Sequence, residues 1–434
     1  MAPEPDAPRV GAGAGDRRLT VRSPGVAARA ILEGLRPLPV ERLPLLDALG
    51  RVLAEDAVSP LDLPPWDNSA MDGYAVRAAD LGAGDGPWTL RVVEEVQAGA
   101  FPTRPVGPGE CTRIFTGAPI PAGADGVIRQ EDTDGPHAGT VRILDRRDAG
   151  RNLRRRGEDI VRDTVVLRRG TALGPAQLGV LASLAQPEVV VHRTPMVALL
   201  GSGDEIADLD ERDAILEGRK IASSNTYALT ANVRHAGAGV RNLGIARDDP
   251  RDLRERLERA AGADLLVTTA GVSVGEHDYL RSVFEAMGGR LGFWRIRMRP
   301  GAPVGFGMLG TCPWIGLPGN PVSAMVTFEL FVRPAIRRLQ GHALPFRRTV
   351  RVEVTEALEY SVRLTHFLRA VVTEADGTLR ARLTGPQGSG ILTSMARANA
   401  LLIVPAERDA VSPGEELQAL LLDDPVHVGE PPFE

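Results

Sequence analysis

Residues 264–287 have the sequence DLLVTTAGVSVGEHDYLRSVFEAM, which predicts a strand, a loop and a helix in succession. The first part is apolar and β-branched, residues 270–278 form a loop of small residues, and residues 279–287 repeat apolar side chains at helical spacing. Such a loop directs backbone N–H groups and the start of a helix towards one point, which favours an anion. Asp278 could cap the helix or hold a cation beside a phosphate, and the loop alone does not distinguish these roles.

Two further loops follow short apolar runs in the same region. Residues 314–317 are a predicted strand that leads into the turn PGNP at 318–321, and residues 196–200 lead into GSGDE at 201–205. Within the first turn, Asn320 suits the position that precedes a helix. Open α/β sheets bind ligands beyond the carboxyl ends of their strands, so three such loops favour one shared crevice over three separate helix caps.

Length and composition are those of an ordinary globular protein. The 434 residues correspond to roughly three domains, and a hydrophobic content of 43% is ample for buried cores. The net charge of -5 is mild and the arginines lack neighbouring aromatic residues, so we expect no nucleic-acid partner. No stretch is long enough to cross a bilayer, and Cys111 and Cys312 lack the spacing of a disulfide framework or a zinc site. These features predict a cytoplasmic protein without membrane contact.

Two loops upstream of the α/β region carry dense polar groups. The first, DNSAMD at residues 67–72, has side chains that either satisfy the loop backbone as Asx turns or face a ligand. The second, GRNLRRRGED at residues 150–159, is either a solvated basic face or a contact for an anionic ligand or a partner subunit. The residue types alone leave both alternatives open.

Six motifs together resemble the molybdopterin molybdenumtransferase family, which includes the bacterial MoeA proteins and the gephyrin E domain. They occur in the family's order and span about residues 20–425, and it is the ordered set rather than any one motif that is specific. The motifs are DNSAMDGYA at 67–75, FTGAPIPAGAD at 115–125, GRNLRRRGED at 150–159, GSGDEI at 201–206, GVSVGEHDY at 271–279 and GLPGNPVSA at 316–324.

The resemblance implies an α/β plus β fold, in which a multidomain elongated subunit combines a MogA-like α/β domain with smaller β-rich domains. The expected divisions are a disordered tail at 1–20, a discontinuous linker and dimerisation domain from 21–60 and 160–194, a small β-rich domain at 61–159, a MogA-like molybdopterin-binding domain at 195–342, and a C-terminal β domain at 343–426.

The resemblance also implies an enzyme that inserts molybdenum from molybdate into adenylylated molybdopterin and releases AMP. The expected cofactor is Mg²⁺, because cleaving a phosphoric anhydride beside an oxyanion gathers negative charge that divalent cations and N–H donors offset. The expected partners are a second copy of the chain, a molybdopterin adenylyltransferase and apo-molybdoenzymes. In homodimers of the family the active cleft takes residues from both subunits.

The resemblance implies roles for individual residues. The expected catalytic residues are Asp72, Thr116, Glu205 and Asp278, of which the first two either position the pterin or activate water. The expected Mg²⁺ ligands are Asp204, Glu205 and Asp278, with Asp248 as a weaker fourth candidate. The expected substrate-binding residues are Ser69, Gly271, Ser273, Gly275, Arg295, Arg299, Pro318, Gly319, Asn320, Arg369 and Ser389.

The chain departs from the family at the expected molybdate site. Relatives commonly have Lys-Pro-Gly-Lys-Pro where residues 299–303 of this chain are RPGAP. Arg299 keeps the positive charge of the first lysine with a different geometry, whereas Ala302 lacks the positive charge of the second. The family's Arg-x-x-Phe-x-Arg pattern has one additional residue between Arg363 and Phe367, whereas Arg369 still matches its last arginine. These departures support a second hypothesis, a weakened paralogue that serves as a dimeric scaffold or interaction protein. A pterin adenylyltransferase would need only the α/β region.

Overall fold

A computed structural model describes residues 21–270, 279–293, 295–360 and 363–422. Three six-stranded sheets dominate this part of the chain, one in a β-rich unit, one in an α/β unit and one in a C-terminal unit. The sequence prediction of a multidomain α/β plus β fold is therefore confirmed.

The first helix, Pro24–Glu33, packs with the α/β unit although it is distant from it in sequence. It begins after Ser23, whose hydroxyl accepts a hydrogen bond from Val26 N at 3.5 Å. Ala27 and Ile31 are fully buried in the apolar core that also covers one face of the α/β sheet. The chain enters the linker unit only after this helix.

The linker unit joins two separated segments of the chain. Val40–Pro44 pairs antiparallel with Glu188–His192, and Ala57–Val58 pairs with Val165–Leu167. The helix Pro175–Ser183 and the 3-10 turn Leu45–Ala48 pack together beside these strands. The shared core contains Ala48, Leu53, Leu173, Leu178, Leu181, Val189 and Val191.

The β-rich unit is built around a mixed sheet. Its strand order is Gly126–Arg129, Gly73–Val76, Glu110–Ile114, Trp88–Val96, Thr140–Ile143 and Thr133–His137. Gly73 is required because a Cβ there would lie 1.9 Å from the carbonyl oxygen of Ile128. The strand pair Asn68–Ser69 with Leu153–Arg154 and the 3-10 turns Ala78–Asp80 and Gln130–Asp132 complete the unit.

The α/β unit has a central sheet that positions three loops on one edge. Its strand order is Gly239–Ala246, Met196–Ser202, Leu265–Thr269, Cys312–Leu317, Gly305–Leu309 and Arg290–Phe293. The first four strands are parallel, so the carboxyl ends of Met196–Ser202, Leu265–Thr269 and Cys312–Leu317 meet at the same edge. Gly305–Leu309 pairs antiparallel with Cys312–Leu317, and Arg290–Phe293 in turn pairs antiparallel with Gly305–Leu309 at the side of the sheet.

Helices cover both faces of this sheet and form two separate apolar cores. They are Ser224–His235, Pro250–Glu258, Tyr279–Ala286, Pro321–Thr327 and Arg333–Leu339, the last two joined by the π-helical turn Phe328–Val332. The short helix Arg212–Leu216 has no buried residue and belongs to neither core. A 3-10 turn, Leu209–Glu211, and the short parallel pair Ile206–Ala207 with Ile221–Ala222 lie beyond the strand ends.

The C-terminal unit is a closed barrel with one borrowed strand. Its strands are Thr349–Val354, Thr365–Ala375, Thr378–Leu383, Ala400–Val404 and Glu416–Leu421, and the pairing of Thr365–Ala375 with both Thr378–Leu383 and Ala400–Val404 closes the ring. Met298–Arg299, which lies in the chain between two strands of the α/β sheet, Arg290–Phe293 and Gly305–Leu309, pairs in parallel with residues 365–366. The pair Leu358–Glu359 with Ala410–Val411 and the helix Leu392–Arg397 flank the barrel.

Candidate active site

A pocket lies beyond the strand ends of the α/β sheet, where the sequence predicts a crevice. This strand-end pocket has a volume of about 450 Å³ and is lined by Gly201, Ser202, Glu205, Ile206, residues 221–225, Thr269, Ala270, Pro303 and residues 318–321. Pro318, Gly319, Asn320 and Glu205 therefore lie together as expected. Gly271, Ser273, Gly275 and Asp278 lie outside the described residues.

Two turns with a positive φ lie at the strand ends beside the strand-end pocket. Gly203 has a φ of 133°, and a Cβ there would lie 2.8 Å from the carboxylate oxygens of Glu205, so only glycine lets this carboxylate occupy its place. Ala270 also has a left-handed backbone, with a φ of 65°, and its N–H donates to the carbonyl of Leu317 at 3.1 Å. Both turns follow directly from the ends of neighbouring strands.

A second cavity opens between the α/β unit and the barrel. This interdomain cavity has a volume of about 760 Å³ and is lined by Arg299, Pro300, Glu359, Tyr360, His366, Leu368, Arg369, Gln387, Gly388, Asp409 and Ala410. Arg299 and Arg369 were both expected near an oxyanion, and the fold brings them to the same cavity. Tyr360, His366 and Gln387 also line this cavity, and no local sequence pattern predicts them.

Arg369 is the most unusual residue of the interdomain cavity because its guanidinium is fully buried. Its Nε donates to Ser394 Oγ at 3.0 Å and one Nη to the carbonyl of Gly388 at 3.0 Å, but its Nη1 has no hydrogen-bond partner among the described residues. Burial lowers the pKa of Arg369, because desolvation disfavours the charged form. A buried cation with an unsatisfied N–H provides a binding position for an anion.

One short segment of the chain, residues 299–303, runs from the interdomain cavity to the strand-end pocket. Residues 299–300 line the cavity, whereas Pro303 lines the pocket. Asn320 lies at the start of the helix Pro321–Thr327, as expected, but its side chain does not cap the helix; it donates instead to Ser389 Oγ at 3.0 Å. Ser389, beside Gly388 of the cavity, also accepts the N–H of Val322 at 3.1 Å. Ser389 is thus placed between two binding spaces.

The predicted metal ligands are only partly brought together. Asp248 N donates to Asp204 Oδ1 at 3.2 Å, and Asp204 N lies 3.5 Å from Asp248 Oδ2, so these two carboxylates are adjacent. Glu205 lines the strand-end pocket instead. The described residues contain no group of three or more His, Cys, Asp or Glu side chains arranged for a metal ion. Two neighbouring carboxylates still suit a hard cation such as Mg²⁺, which prefers oxygen ligands and retains water.

Asp72 and Thr116 form a hydrogen-bonded pair in the β-rich unit. The backbone N–H and the hydroxyl of Thr116 donate to Asp72 Oδ1 at 2.7 and 2.8 Å. These bonds, the backbone one first, hold the pKa of Asp72 below its ordinary value. Ser69 is fully buried and its hydroxyl bonds to Met71 within the same loop. None of these three residues lines the strand-end pocket or the interdomain cavity of its own chain.

The basic turn and the remaining expected residues have other contacts. Arg155 pairs with Asp67 of the DNSAMD loop at 2.7 Å, and the backbone N–H of Arg156 donates to the same carboxylate at 2.8 Å. The side chain of Arg156 pairs instead with Asp62, which precedes that loop, at 2.6 Å. Arg295 is exposed, and its carbonyl accepts the N–H of Arg22 at 3.3 Å. Arg363 has a φ of 78°, is exposed and does not line the interdomain cavity.

Comparison with known proteins identifies the family. Three family profiles match in succession: the MoeA N-terminal region (domain I and II) at residues 23–185, a probable molybdopterin binding domain at 198–338, and the MoeA C-terminal region (domain IV) at 351–422. Molybdopterin molybdenumtransferase 2 of Mycobacterium tuberculosis is 37% identical over 90% of this chain and 97% of its own length. The chain belongs to the molybdopterin molybdenumtransferase family. The resemblance seen in the sequence is confirmed.

Other relatives agree with this family assignment. The molybdopterin molybdenumtransferase of a Nostoc species is 36% identical over 88% of this chain and 88% of its own. The crystal structure of a molybdopterin biosynthesis moeA protein from Pyrococcus horikoshii superposes with a TM-score of 0.80 at 30% identity, covering 93% of this chain and 100% of that one. No helix in the described part of this family member is long and apolar enough to cross a membrane.

Proposed function

We propose that this protein is a molybdopterin molybdenumtransferase, which inserts molybdenum from molybdate into adenylylated molybdopterin and releases AMP. The observation that carries this proposal is the Nη1 of the buried Arg369, which has no hydrogen-bond partner among the described residues and belongs to a cavity that residues 299–303 connect to the strand-end pocket. The oxyanion would bind at Arg369 and Arg299. Adenylylated molybdopterin would bind in the strand-end pocket, so both substrates would lie next to the wall formed by residues 299–303.

The family assignment favours this enzyme over the scaffold hypothesis. A scaffold needs no buried and incompletely paired guanidinium, because such a group costs free energy that a bound anion offsets. The loss of a lysine at Ala302 leaves both Arg299 and Arg369 in the cavity wall. The departure therefore changes the number of cations near the oxyanion and leaves the site itself in place.

We propose that Mg²⁺ assists the reaction through Asp204, Asp248 and Asp278, with Glu205 nearby. When bound, the cation would offset the charge of the phosphoric anhydride. The adjacent carboxylates of Asp204 and Asp248 support this assignment. Lys220 donates to the backbone carbonyl of Asp204, which helps to hold the loop that carries the first carboxylate.

We further propose that the active protein is a cytoplasmic homodimer. The Asp72–Thr116 pair is exposed and lines neither binding space of its own chain, so a role in catalysis requires the cleft of a second subunit. Leu46 is 81% exposed and Leu49 58% exposed on the linker unit, where a second copy would cover them. A molybdopterin adenylyltransferase and apo-molybdoenzymes are its expected further partners.

The proposed function is tested by supplying the purified protein with adenylylated molybdopterin, molybdate and Mg²⁺. We expect one AMP released per molybdenum incorporated, measured by chromatography and by metal analysis. In cells, the gene should restore nitrate reductase activity to a strain that lacks its own insertase. AMP release that is independent of molybdate, together with failure to restore that activity, would contradict the proposal.

A further inference from the structure

Asn225 lies at the start of the helix Ser224–His235 and lines the strand-end pocket. Its Nδ2 donates to the carbonyl of Gly319 at 2.6 Å, and this bond joins the two loops on opposite sides of the pocket. Because a carbonyl oxygen can only accept, the amide orientation is determined: the NH₂ group faces Gly319 and the oxygen faces away from it.

The other half of the same amide is unsatisfied. Asn225 Oδ1 is buried and has no hydrogen-bond partner among the described residues. A buried acceptor without a donor is destabilising, so a donor is expected to reach it when the site is in use. The hydroxyl of Ser223, which also lines the pocket, is bonded to Thr226 and does not supply this donor.

We infer that Asn225 Oδ1 accepts an N–H group from the ring system of the bound substrate, which makes Asn225 a specificity-determining residue. The inference rests on the function proposed above, because adenylylated molybdopterin carries an exocyclic amino group on both its pterin and its adenine. Replacing such an amino group by an oxo group turns a donor into an acceptor and places two acceptors against each other. The pocket therefore selects amino-substituted heterocycles over their oxo analogues.

The experiment compares two pairs of small ligands that differ at this group alone or nearly so. The first pair is AMP and inosine monophosphate, and the second is pterin-6-carboxylate and its 2-oxo analogue, lumazine-6-carboxylate. Dissociation constants are measured by ligand-observed NMR for the wild type, for Asn225→Ala and for Asn232→Ala, a matched control two turns further along the same helix. Asn225→Ser is a second variant, whose hydroxyl can still donate towards Gly319.

We expect the wild type and Asn232→Ala to favour the amino ligand of one pair by roughly tenfold. In Asn225→Ala and Asn225→Ser that ratio should fall to about one. Loosening of the Gly319 loop weakens both ligands of a pair and so cancels in the ratio, which isolates the contact between Asn225 and the amino group. The pair that responds identifies whether the adenine or the pterin lies at Asn225.

Two outcomes would overturn the inference, and they differ in what they say about the function. If the ligands bind but the wild type does not discriminate within either pair, or the Asn225 variants discriminate equally well, Asn225 only holds the Gly319 loop and the proposed function stands. If none of the ligands binds even at millimolar concentration, the strand-end pocket is not the substrate pocket, and the proposed function loses its pterin site as well.

Discussion

The interdomain cavity and the strand-end pocket lie side by side but differ in the charge of the groups that line them. The cavity contains a fully buried guanidinium, that of Arg369, whose hydrogen bonds go to neutral acceptors, whereas the acidic residues that line it, Glu359 and Asp409, are exposed. The pocket contains backbone groups, the neutral amide of Asn225 and a carboxylate, Glu205. If the proposed function is right, a small oxyanion binds in the cavity and a neutral ring system in the pocket, and each should be weakened without the other.

The largest expected effect comes from removing the buried charge. Arg369→Met should raise the molybdate concentration for half-maximal insertion by roughly a hundredfold, because a charge-assisted hydrogen bond contributes about 1.5–3 kcal/mol. Binding of AMP to the strand-end pocket should not change. Molybdate is titrated at saturating adenylylated molybdopterin, with Arg382→Met as the control for an exposed arginine of the same barrel. Equal weakening of both substrates would show that the two spaces are not independent.

The second prediction extends the comparison to a second subunit. Asp72→Ala and Asp278→Ala should each reduce insertion by about a hundredfold, a typical loss for one key electrostatic group. Co-expression of the two variants should restore part of the activity, because mixed dimers contain one cleft with both carboxylates. Activity is measured on mixed dimers purified with two different tags. Monomeric behaviour in light scattering at micromolar concentration would refute the shared cleft.

A smaller effect is expected at the wall between the two spaces. Ala302→Lys should lower the molybdate concentration for half-maximal insertion by roughly tenfold, because it adds a cation beside a divalent anion. Ala302→Met, similar in length without the charge, is the matched control, and pterin binding should be the same in all three proteins. An unchanged midpoint would show that Arg299 and Arg369 already neutralise the oxyanion.

The smallest effect concerns the pKa of Asp72. Thr116 donates two hydrogen bonds to the ionised carboxylate, so the pair stabilises the folded state above the ordinary carboxyl pKa and loses this contribution as the pH falls through the lowered value. Thr116→Val removes only the hydroxyl donor and should raise the pKa of Asp72 part of the way to its usual range. Carbon-detected NMR titration measures it. Thr103→Val, which removes a similar bond to Glu94, should leave Asp72 unchanged.

The two spaces also differ in how far the sequence predicts them. Two loops of the strand-end pocket, those at Glu205 and Gly319, directly follow strands of the sheet, so they are visible in the sequence as apolar runs followed by glycines. The interdomain cavity depends on contacts between distant segments, and Tyr360 and His366 have no local pattern that marks them. Asn225 falls between these cases: its position at a helix start is predictable, but its bond to Gly319 is a tertiary contact.

Because the strand Met298–Arg299 pairs with the barrel but precedes it in the chain, the barrel cannot be exchanged between relatives as an independent unit. A chimera that joins this α/β unit to the barrel of a relative at residues 343–348 would keep residues 298–299 from one parent and their pairing partners, residues 365–366, from the other. The mismatch would fall on the wall of the interdomain cavity, because Arg299 and His366 both line it. Engineers who wish to transplant the barrel should therefore move residues 295–304 with it, although these residues belong to another unit of the chain.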